Sequence, residues 1–261
     1  MKLIILGSGS TGNALYVESG DTRVLVDAGL SGKEIARRMT HVGLDPGRLD
    51  AVLITHEHSD HVRGLQVVSK TLNAPVFASG ATRSECRFPH GGEGIRWGQE
   101  IRSSEPFQIG SLDFYPFSIP HDGVDTFAFT VTSKGVKVAM VTDLGYIPRV
   151  VAERLKGCDL IMVESNHDRD LLKVGPYPWP LKQRIAGKLG HLSNDEVARW
   201  IREDFDGRAR YLVLAHLSRH CNHPELARIT ALEALQDRRI PDAEGRLKIA
   251  THNHPSQWFE L

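Results

Sequence analysis

A cluster of histidine and aspartate side chains directly after a short apolar segment constrains this chain more than any other feature. Residues 51–54 (AVLI) have the composition of a buried strand, and the cluster follows at once, with His56, His58, Asp60 and His61. On an extended backbone His56 and His58 point to the same place, while Asp60 and His61 come where the chain turns and face a second point nearby. Imidazole and carboxylate groups ligate zinc, manganese and iron, so the loop predicts a site for two adjacent divalent metal ions.

Two later residues stand in a comparable position, just past a predicted strand. His121 follows an alternating segment at 112–117, and Asp143 follows the apolar segment 136–141. Either residue alone is explained as a core histidine or a helix-capping aspartate. Because ligands gathered on one rim of a sheet make a site, we predict that both join the cluster. His216 ends a further buried segment at 211–215.

Local patterns predict several other elements. Gly20 and Asp21 separate two apolar segments and predict a hairpin, and Ser31 is placed to cap a helix over 31–39. Ser193 and Glu196 have the spacing of a capping box at the start of another helix. Residues 247–250 predict the last strand. Residues 86–105 show no clear organisation.

Three histidines have no matching partner motif. His90 lies among glycines, and His252 and His254 stand near the C-terminus. We predict that these three are exposed and are not ligands.

Two stretches are candidates for substrate contact. The glycine-rich residues 7–13 (GSGSTGN) fit a structural turn and a substrate-facing loop equally well. A basic stretch between residues 173 and 188 interleaves cations with aromatic side chains, namely Lys173, Tyr177, Trp179, Lys182, Arg184 and Lys188. Such charge usually covers a solvated face, and contact with nucleic acid is the alternative.

Bulk properties place the chain among soluble proteins. Its 261 residues, 41% hydrophobic and 25% charged, suit one α/β domain over residues 1–261. A formal net charge of zero gives no general attraction for nucleic acid, so an anionic partner needs a local patch or metal. The cysteines Cys86, Cys158 and Cys221 are odd in number and widely spaced, which indicates reduced thiols. The apolar run at the N-terminus is too short for a signal peptide or a membrane span, so we expect a cytoplasmic protein without membrane contact.

The cluster at residues 56–61 matches HxHxDH and resembles the signature of the metallo-β-lactamase fold. Nearly end to end, the chain is similar to the YycJ/WalJ family of bacterial proteins with this fold. The segments that carry this similarity are GSGSTGN at 7–13, ESNHD at 164–168, YP at 177–178, LK at 181–182, RI at 184–185, GHLSN at 190–194 and LAHLS at 214–218. Thr11 departs from the family loop, which we expect without it, and so does His223 beside Cys221.

The resemblance implies a fold and a set of residue roles. The fold is a four-layer αββα sandwich. One metal ion is held by His56, His58 and His121, the other by Asp60, His61 and His216, and Asp143 bridges the two. Asp27 braces the metal loop. Asp60 also orients the attacking water, Glu164 orients His191, and His191 meets the substrate phosphate or its leaving oxygen as a general acid. The predicted substrate contacts are Ser10, Asn13, Lys182, Arg184 and Ser218.

The family implies a phosphodiesterase with two zinc or manganese ions, most specifically a 5′→3′ exonuclease on double-stranded DNA with a role in mismatch repair. Assembly as a homodimer stays open. One alternative is a small-molecule hydrolase acting on a cyclic phosphodiester, a thioester or a lactam, and another is an RNA-processing nuclease. The stretch between His121 and Asp143 is short for the substrate arm of the transfer-RNA nucleases, which argues against that substrate. A non-enzymatic metal-binding regulator has no need of so complete a ligand set.

Overall fold

The computed structural model describes residues 1–261, with every side chain except those of Pro89 and His90. The prediction for the His90 side chain therefore lies outside the described residues. The strands β1–β14 span Lys2–Gly7, Ala14–Ser19, Thr22–Val26, Ala51–Leu53, Val76–Ala78, Trp97–Glu100, Phe107–Ile109, Leu112–Ser118, Phe127–Ser133, Val136–Val141, Leu160–Glu164, Tyr211–Ala215, Leu247–Ile249 and Phe259–Glu260. The helices α1–α10 span Gly32–His41, Ser59–Val62, Leu65–Leu72, Gly80–Glu85, Arg149–Leu155, Arg169–Val174, Trp179–Ile185, Asn194–Glu203, Pro224–Asp237 and Ala243–Arg246. Short 3₁₀ turns lie at Pro46–Arg48 and Pro89–Gly92.

The strands form two seven-stranded sheets. The order in the first is β14-β1-β2-β3-β4-β5-β6, and in the second β13-β12-β11-β10-β9-β8-β7. Each sheet is antiparallel on one side and parallel on the other: β3 to β6 run parallel in the first, and β10 to β13 in the second. The parallel strands of each sheet bring their carboxyl ends to one edge, where loops carry functional side chains.

Buried apolar side chains form three hydrophobic clusters, one between each pair of neighbouring layers. Between the sheets lies a core that includes Leu3, Val24, Phe114, Phe129, Met140 and Met162. The outer face of the first sheet packs against α1 and α3 through residues such as Ile35, Met39 and Leu65, and that of the second packs against α5, α8 and α9 through Val151, Trp200 and Ala231. The chain is thus a four-layer αββα sandwich, as the resemblance implies. Among the described residues, no helix combines the length and the apolar character that a membrane crossing requires.

Several local predictions are confirmed. Gly20 and Asp21 connect β2 and β3, which pair antiparallel. The Ser31 hydroxyl accepts a hydrogen bond from the Glu34 backbone N–H at 3.2 Å and caps α1. The pattern at 86–105 that gave no interpretation contains β6, which extends the parallel part of the first sheet.

Two predictions about the C-terminus are wrong. Residues 247–249 are not the last strand, because β14 follows and pairs with β1. His252 is half-buried and not exposed as predicted: its Nδ1 is buried, its ring lies against Gly9, and its backbone carbonyl accepts a hydrogen bond from buried Arg38 at 3.0 Å. The chain after β13 thus folds back over the glycine-rich loop.

Candidate metal centre and catalytic site

The candidate site lies where strands of both sheets end. The loop after β4 carries four of the predicted ligands, and one more follows each of β8, β10 and β12. Asp27, Asp143 and His216, each at a strand end, have left-handed backbone conformations with φ of 61°, 64° and 55°. Aspartate and histidine are enriched among non-glycine residues in this conformation, which turns their side chains sharply away from the strand direction.

Three histidines form the first ligand group. His56, His58 and His121 each offer a ring nitrogen, and these nitrogens lie within 4.8 Å of one another. The His56 Nδ1 lies 3.0 Å from the Thr55 hydroxyl and the His121 Nδ1 lies 3.1 Å from the Gly190 carbonyl, so both Nε2 atoms are left facing the site. The His121 Nε2 is 3.3 Å from the His58 Nδ1.

The second group consists of Asp60, His61 and His216. The His61 Nδ1 is 2.7 Å from the Asp27 carboxylate, which also accepts a hydrogen bond from the Thr55 backbone N–H at 2.9 Å. Asp27 therefore contacts the metal loop at two points, as predicted for a residue that braces it. The His61 Nε2 faces inward at 3.7 Å from the Asp60 carboxylate.

Asp143 lies between the two groups. Its Oδ2 is 3.3 Å from the His61 Nε2, and its side chain also groups with His56. Both the Asp143 Oδ2 and the His56 Nε2 are buried and lack a hydrogen-bond partner among the described residues. Buried polar atoms are normally paired, so two orphans aimed at one point fit a bound cation. The nitrogen and carboxylate donors also have the chemistry that divalent zinc or manganese accepts.

Charge coupling inside the site is strong. Burial by itself would lower the pKa of His61 and His216, but neighbouring carboxylates, Asp143 among them, hold both values well above the usual range. Burial of His56 keeps its pKa well below the usual value. Burial opposes ionisation of Asp143, but His216 and His61 lower its pKa well below the ordinary value. Carboxylates buried this densely require positive charge beside them, which imidazolium or a divalent cation supplies.

Glu164 is fully buried at the end of β11 and connects the cluster of candidate metal ligands to His191. Its Oε1 lies 2.8 Å from the His191 Nδ1 and 2.7 Å from the His216 Nδ1. Its Oε2 accepts hydrogen bonds from the backbone N–H groups of Leu144 and Leu192, both at 3.0 Å. The predicted contact between Glu164 and His191 is present. The second contact, to His216, was not anticipated.

His191 stands at the mouth of the site with 21% of its side chain exposed. Burial would lower its pKa, but the Glu164 carboxylate raises it above the ordinary value. Only half of the predicted capping box behind it forms. The Ser193 hydroxyl accepts a hydrogen bond from the Glu196 backbone N–H at 3.2 Å, whereas the Glu196 carboxylate pairs with arginines.

The predicted substrate contacts divide between three places. Ser10, Arg184 and Ser218 line a cavity of about 380 Å³ together with Asp60, Asp143, His191 and His216. Lys182 lines a neighbouring cavity instead. The Asn13 side chain is buried, with its Nδ2 3.0 Å from the His61 Nε2 and its Oδ1 accepting a hydrogen bond from the Gly9 backbone at 2.8 Å.

Two residues of the site received no role from sequence reasoning. Asp122 pairs with Arg184 and lies 3.4 Å from the His121 Nε2. Its position directly after a predicted ligand was the available signal. Asn166 donates a hydrogen bond from Nδ2 to the His216 carbonyl at 2.8 Å and lines the cavity. Nothing but its presence in the segment at 164–168 pointed to it.

Comparison with known proteins agrees with this geometry. Residues 22–217 match the family described as the beta-lactamase superfamily domain. The chain is 34% identical to exodeoxyribonuclease YycJ of Bacillus anthracis, over 90% of this chain and 89% of that protein. It is 35% identical to exodeoxyribonuclease WalJ of Streptococcus pneumoniae, over 90% and 88%. A more distant relative, ribonuclease Z of Bacillus cereus, is 25% identical over 67% of this chain and 62% of that protein.

Solved structures show the same fold. The metallo-β-lactamase fold protein YhfI from Bacillus subtilis superposes with a TM-score of 0.73, 19% identity, and 98% of each chain covered. At that identity the similarity shows the fold alone. The identities to YycJ and WalJ over nine-tenths of the chain show the family. This chain belongs to the YycJ/WalJ family of the beta-lactamase superfamily, and it is a metal-dependent hydrolase.

Proposed function

We propose that this hydrolase is a 5′→3′ exonuclease that removes nucleotides from double-stranded DNA with the help of two divalent ions, zinc or manganese. One ion would be held by His56, His58 and His121 and the other by Asp60, His61 and His216, with Asp143 between them. Such ions, when bound, lower the pKa of water and stabilise negative charge on phosphate oxygens.

The observation that carries the proposal is the position of His191 beside the metal-ligand cluster. Its Nδ1 contacts buried Glu164 at 2.8 Å, and its ring centroid lies 5.3 Å from that of His121 and 5.3 Å from that of His216. With Nδ1 occupied by the carboxylate, the protonated ring presents its Nε2–H to the cavity. An alkoxide leaving from a phosphodiester is a poor leaving group, so hydrolysis gains most from a donor in this place.

In the step we propose, a water oxygen forms a bond to phosphorus and the bond from phosphorus to the 3′-oxygen of the terminal nucleotide breaks. The 3′-oxygen takes a proton from the His191 Nε2, while the Asp60 carboxylate orients the attacking water. The proton that this water gives up on bonding to phosphorus passes to solvent, from which His191 is protonated again. The shortened strand keeps a 5′-phosphate, and the released nucleotide has a 3′-hydroxyl.

The choice of DNA rests on two kinds of support. YycJ and WalJ, the relatives with about a third of their residues identical, are named exodeoxyribonucleases. The cavity wall carries Tyr177, which suits a base, and Arg184, whose guanidinium is paired with Asp122 and has further N–H donors for a phosphate. RNA is the second candidate, because ribonuclease Z aligns with two-thirds of the chain.

A digestion panel tests the substrate. End-labelled duplex DNA, single-stranded DNA, RNA and bis(p-nitrophenyl) phosphate would be incubated with the protein and added manganese or zinc. We expect mononucleotides released from the 5′ end of the duplex at a higher rate than from the other polymers. Faster cleavage of RNA, or hydrolysis of the small diester alone, would refute the assignment to DNA.

The role of His191 has its own test. Replacing His191 by Ala should lower the rate on DNA by about 10²–10⁴-fold, the usual contribution of a general acid. The loss should be smaller on bis(p-nitrophenyl) phosphate, whose leaving group needs little protonation. Metal content should stay at the wild-type level, and its loss from the variant would show that His191 is a ligand.

The cellular role is also part of the proposal. If the exonuclease acts in mismatch repair, deleting its gene should raise the spontaneous mutation rate of the host. Expressing the wild-type protein should return the rate to its original value, and expressing the His191→Ala variant should not. An unchanged mutation rate in the deletion strain would remove mismatch repair from the proposal.

A further inference from the structure

A second cavity, of about 450 Å³, adjoins the candidate metal centre, and His191 belongs to the walls of both. We call it the His191 cleft. It lies between α6, α7 and the loop after Asp143, and the exposed side chains of Tyr146 and Trp179 line it. Trp179 is 65% exposed, which is unusual for so large an apolar side chain. The cavity falls within the ~300–1,000 Å³ typical of small-ligand pockets.

The charged side chains that line the His191 cleft are mainly cationic. Four basic side chains and one carboxylate line it, namely Arg169, Lys173, Lys182, Lys188 and Glu196. Glu196 is paired with Arg169, and Lys173 is paired with Asp170. Lys188 makes no ion pair or side-chain hydrogen bond within the part of the chain whose side chains are described. Lys182 makes no ion pair but donates to the Lys173 carbonyl at 2.6 Å. The cleft therefore has an excess of positive charge, and Lys188 is the cation that no described side chain or carbonyl engages.

A buried polar atom in the cleft wall also lacks a partner. His167 lines the cleft with only 2% of its surface exposed, and no described group makes a hydrogen bond to its Nδ1. Burial lowers its pKa to about 4, so the ring is neutral at physiological pH. A neutral imidazole nitrogen suits a polar group of a bound molecule better than a second phosphate.

Two close contacts fix the loop that carries Lys188. A Cβ added to Gly145 would come 2.2 Å from the Lys188 carbonyl oxygen, and one added to Gly190 would come 2.1 Å from the Arg184 carbonyl oxygen. Only glycine permits backbones to approach this closely. The free cation is therefore held on a loop packed against its neighbours on both sides.

We propose that the His191 cleft binds the 5′-terminal nucleotide of the strand being degraded and recognises its 5′-phosphate. The inference rests on the proposed function. A donor at His191 protonates the 3′-oxygen of the departing nucleotide, so that nucleotide lies on the side of His191 away from the metal ligands, where the cleft is. Its base stacks on Trp179, and its 5′-phosphate pairs with Lys188.

The chemistry of the reaction supports this arrangement. Each hydrolysis step leaves a 5′-phosphate on the shortened strand, so a subsite for that group meets the same end after every turnover. Recognition of a terminal 5′-phosphate also explains why cleavage would start from an end, because the phosphate of an internal nucleotide is a diester that continues into the chain.

The experiment compares two duplexes of identical sequence, one with a 5′-phosphate and one with a 5′-hydroxyl. Wild-type protein should show kcat/KM roughly tenfold or more higher on the phosphorylated end, the size expected for a hydrogen bond to a charged group. Lys188→Ala should bring the ratio of the two values toward one. Trp179→Ala should raise KM on both ends roughly tenfold, as loss of base stacking does.

Lys33→Ala is the matched control, since Lys33 is an exposed lysine on α1, in the opposite outer layer, and should keep the wild-type ratio. Equal wild-type cleavage of both duplexes would refute the phosphate subsite and leave the proposed function intact. Equal proportional loss on both ends in Lys188→Ala would also refute it. A protein that cleaves neither duplex but hydrolyses bis(p-nitrophenyl) phosphate would refute the proposed function itself.

Discussion

Replacing Glu164 by Gln tests how the two parts of the site are joined, because this change keeps the shape of the side chain and removes its charge. The carboxylate accepts four hydrogen bonds, two from imidazole Nδ1 atoms at 2.7 and 2.8 Å and two from backbone N–H groups at 3.0 Å. A carboxamide has one acceptor oxygen. If that oxygen stays with the two backbone groups, the NH₂ group faces His191 and His216.

Each imidazole then has to accept at Nδ1, which moves its proton to Nε2. In His216 the Nε2 is the atom that lies 3.4 Å from the Asp60 carboxylate and is predicted to ligate metal. In His191 the ring becomes neutral, and its Nε2–H is a much weaker acid. The opposite amide orientation puts an NH₂ group against two buried backbone donors and leaves them unpaired, at about 1–3 kcal/mol each.

We therefore expect two separable losses. Metal affinity should fall by about 10–100-fold, the usual effect of losing a hydrogen bond to a ligating histidine. The rate at saturating metal should fall by about 10²–10⁴-fold through His191. The assay is metal content by mass spectrometry across buffered free zinc concentrations, followed by kcat on duplex DNA. Glu233→Gln, at an exposed position of α9, is the control. Wild-type rate and affinity in Glu164→Gln would refute the coupling.

Three further predictions concern the ligands and the frame that holds them. Asp143→Ala should reduce bound metal to one ion or none and abolish activity, and two tightly held ions in the variant would contradict the bridging role. Gly29→Ala should destabilise the protein by about 1–3 kcal/mol and weaken metal binding, because its Cβ would stand 1.5 Å from the Asp60 carbonyl oxygen, whereas Gly47→Ala should do neither. Glu34, whose pKa is lowered to about 2 from 4.5 by its arginine partners, stabilises the fold above pH 4.5 and loses that contribution as the pH falls toward 2. The melting difference between wild type and Glu34→Gln should shrink from pH 7 to pH 3, and a constant difference would contradict this.

Local chemistry made part of this molecule predictable. The hairpin at Gly20 and the cap at Ser31 depend on neighbours a few residues away, and both formed as expected. The candidate ligands were found because each follows an apolar segment, and the structure brings their donor atoms together at one edge of the sandwich. The four layers followed from the family resemblance, since no local pattern specifies how two sheets stack.

Contacts between residues far apart in the chain account for the features that the sequence did not predict. The strand β14 has two residues and is held by pairing with β1, at the other end of the chain. His252 is half-buried because Gly9, without a side chain, admits its ring. Glu196 has capping-box spacing, yet its carboxylate pairs with Arg169 from a different helix, and such competition is not visible in a four-residue pattern. Lys182 was predicted to contact substrate, yet its Nζ donates to the Lys173 carbonyl at 2.6 Å, another contact that the sequence pattern does not show.

The backbone itself holds the candidate ligands in position. Asp27, Asp143 and His216 have left-handed conformations that cost about 1–3 kcal/mol each in ordinary settings, and such strain persists only where the surrounding structure imposes it. Hydrogen bonds hold two of these residues at their own backbone: the Asp27 N–H donates to the Leu53 carbonyl at 2.8 Å, and the His216 N–H donates to the Ser8 hydroxyl at 2.8 Å. Protein contacts thus fix the direction of these side chains, which accounts for convergent donors on loops that come from both sheets. Substitutions in this frame should therefore weaken metal binding even where they touch no ligand atom.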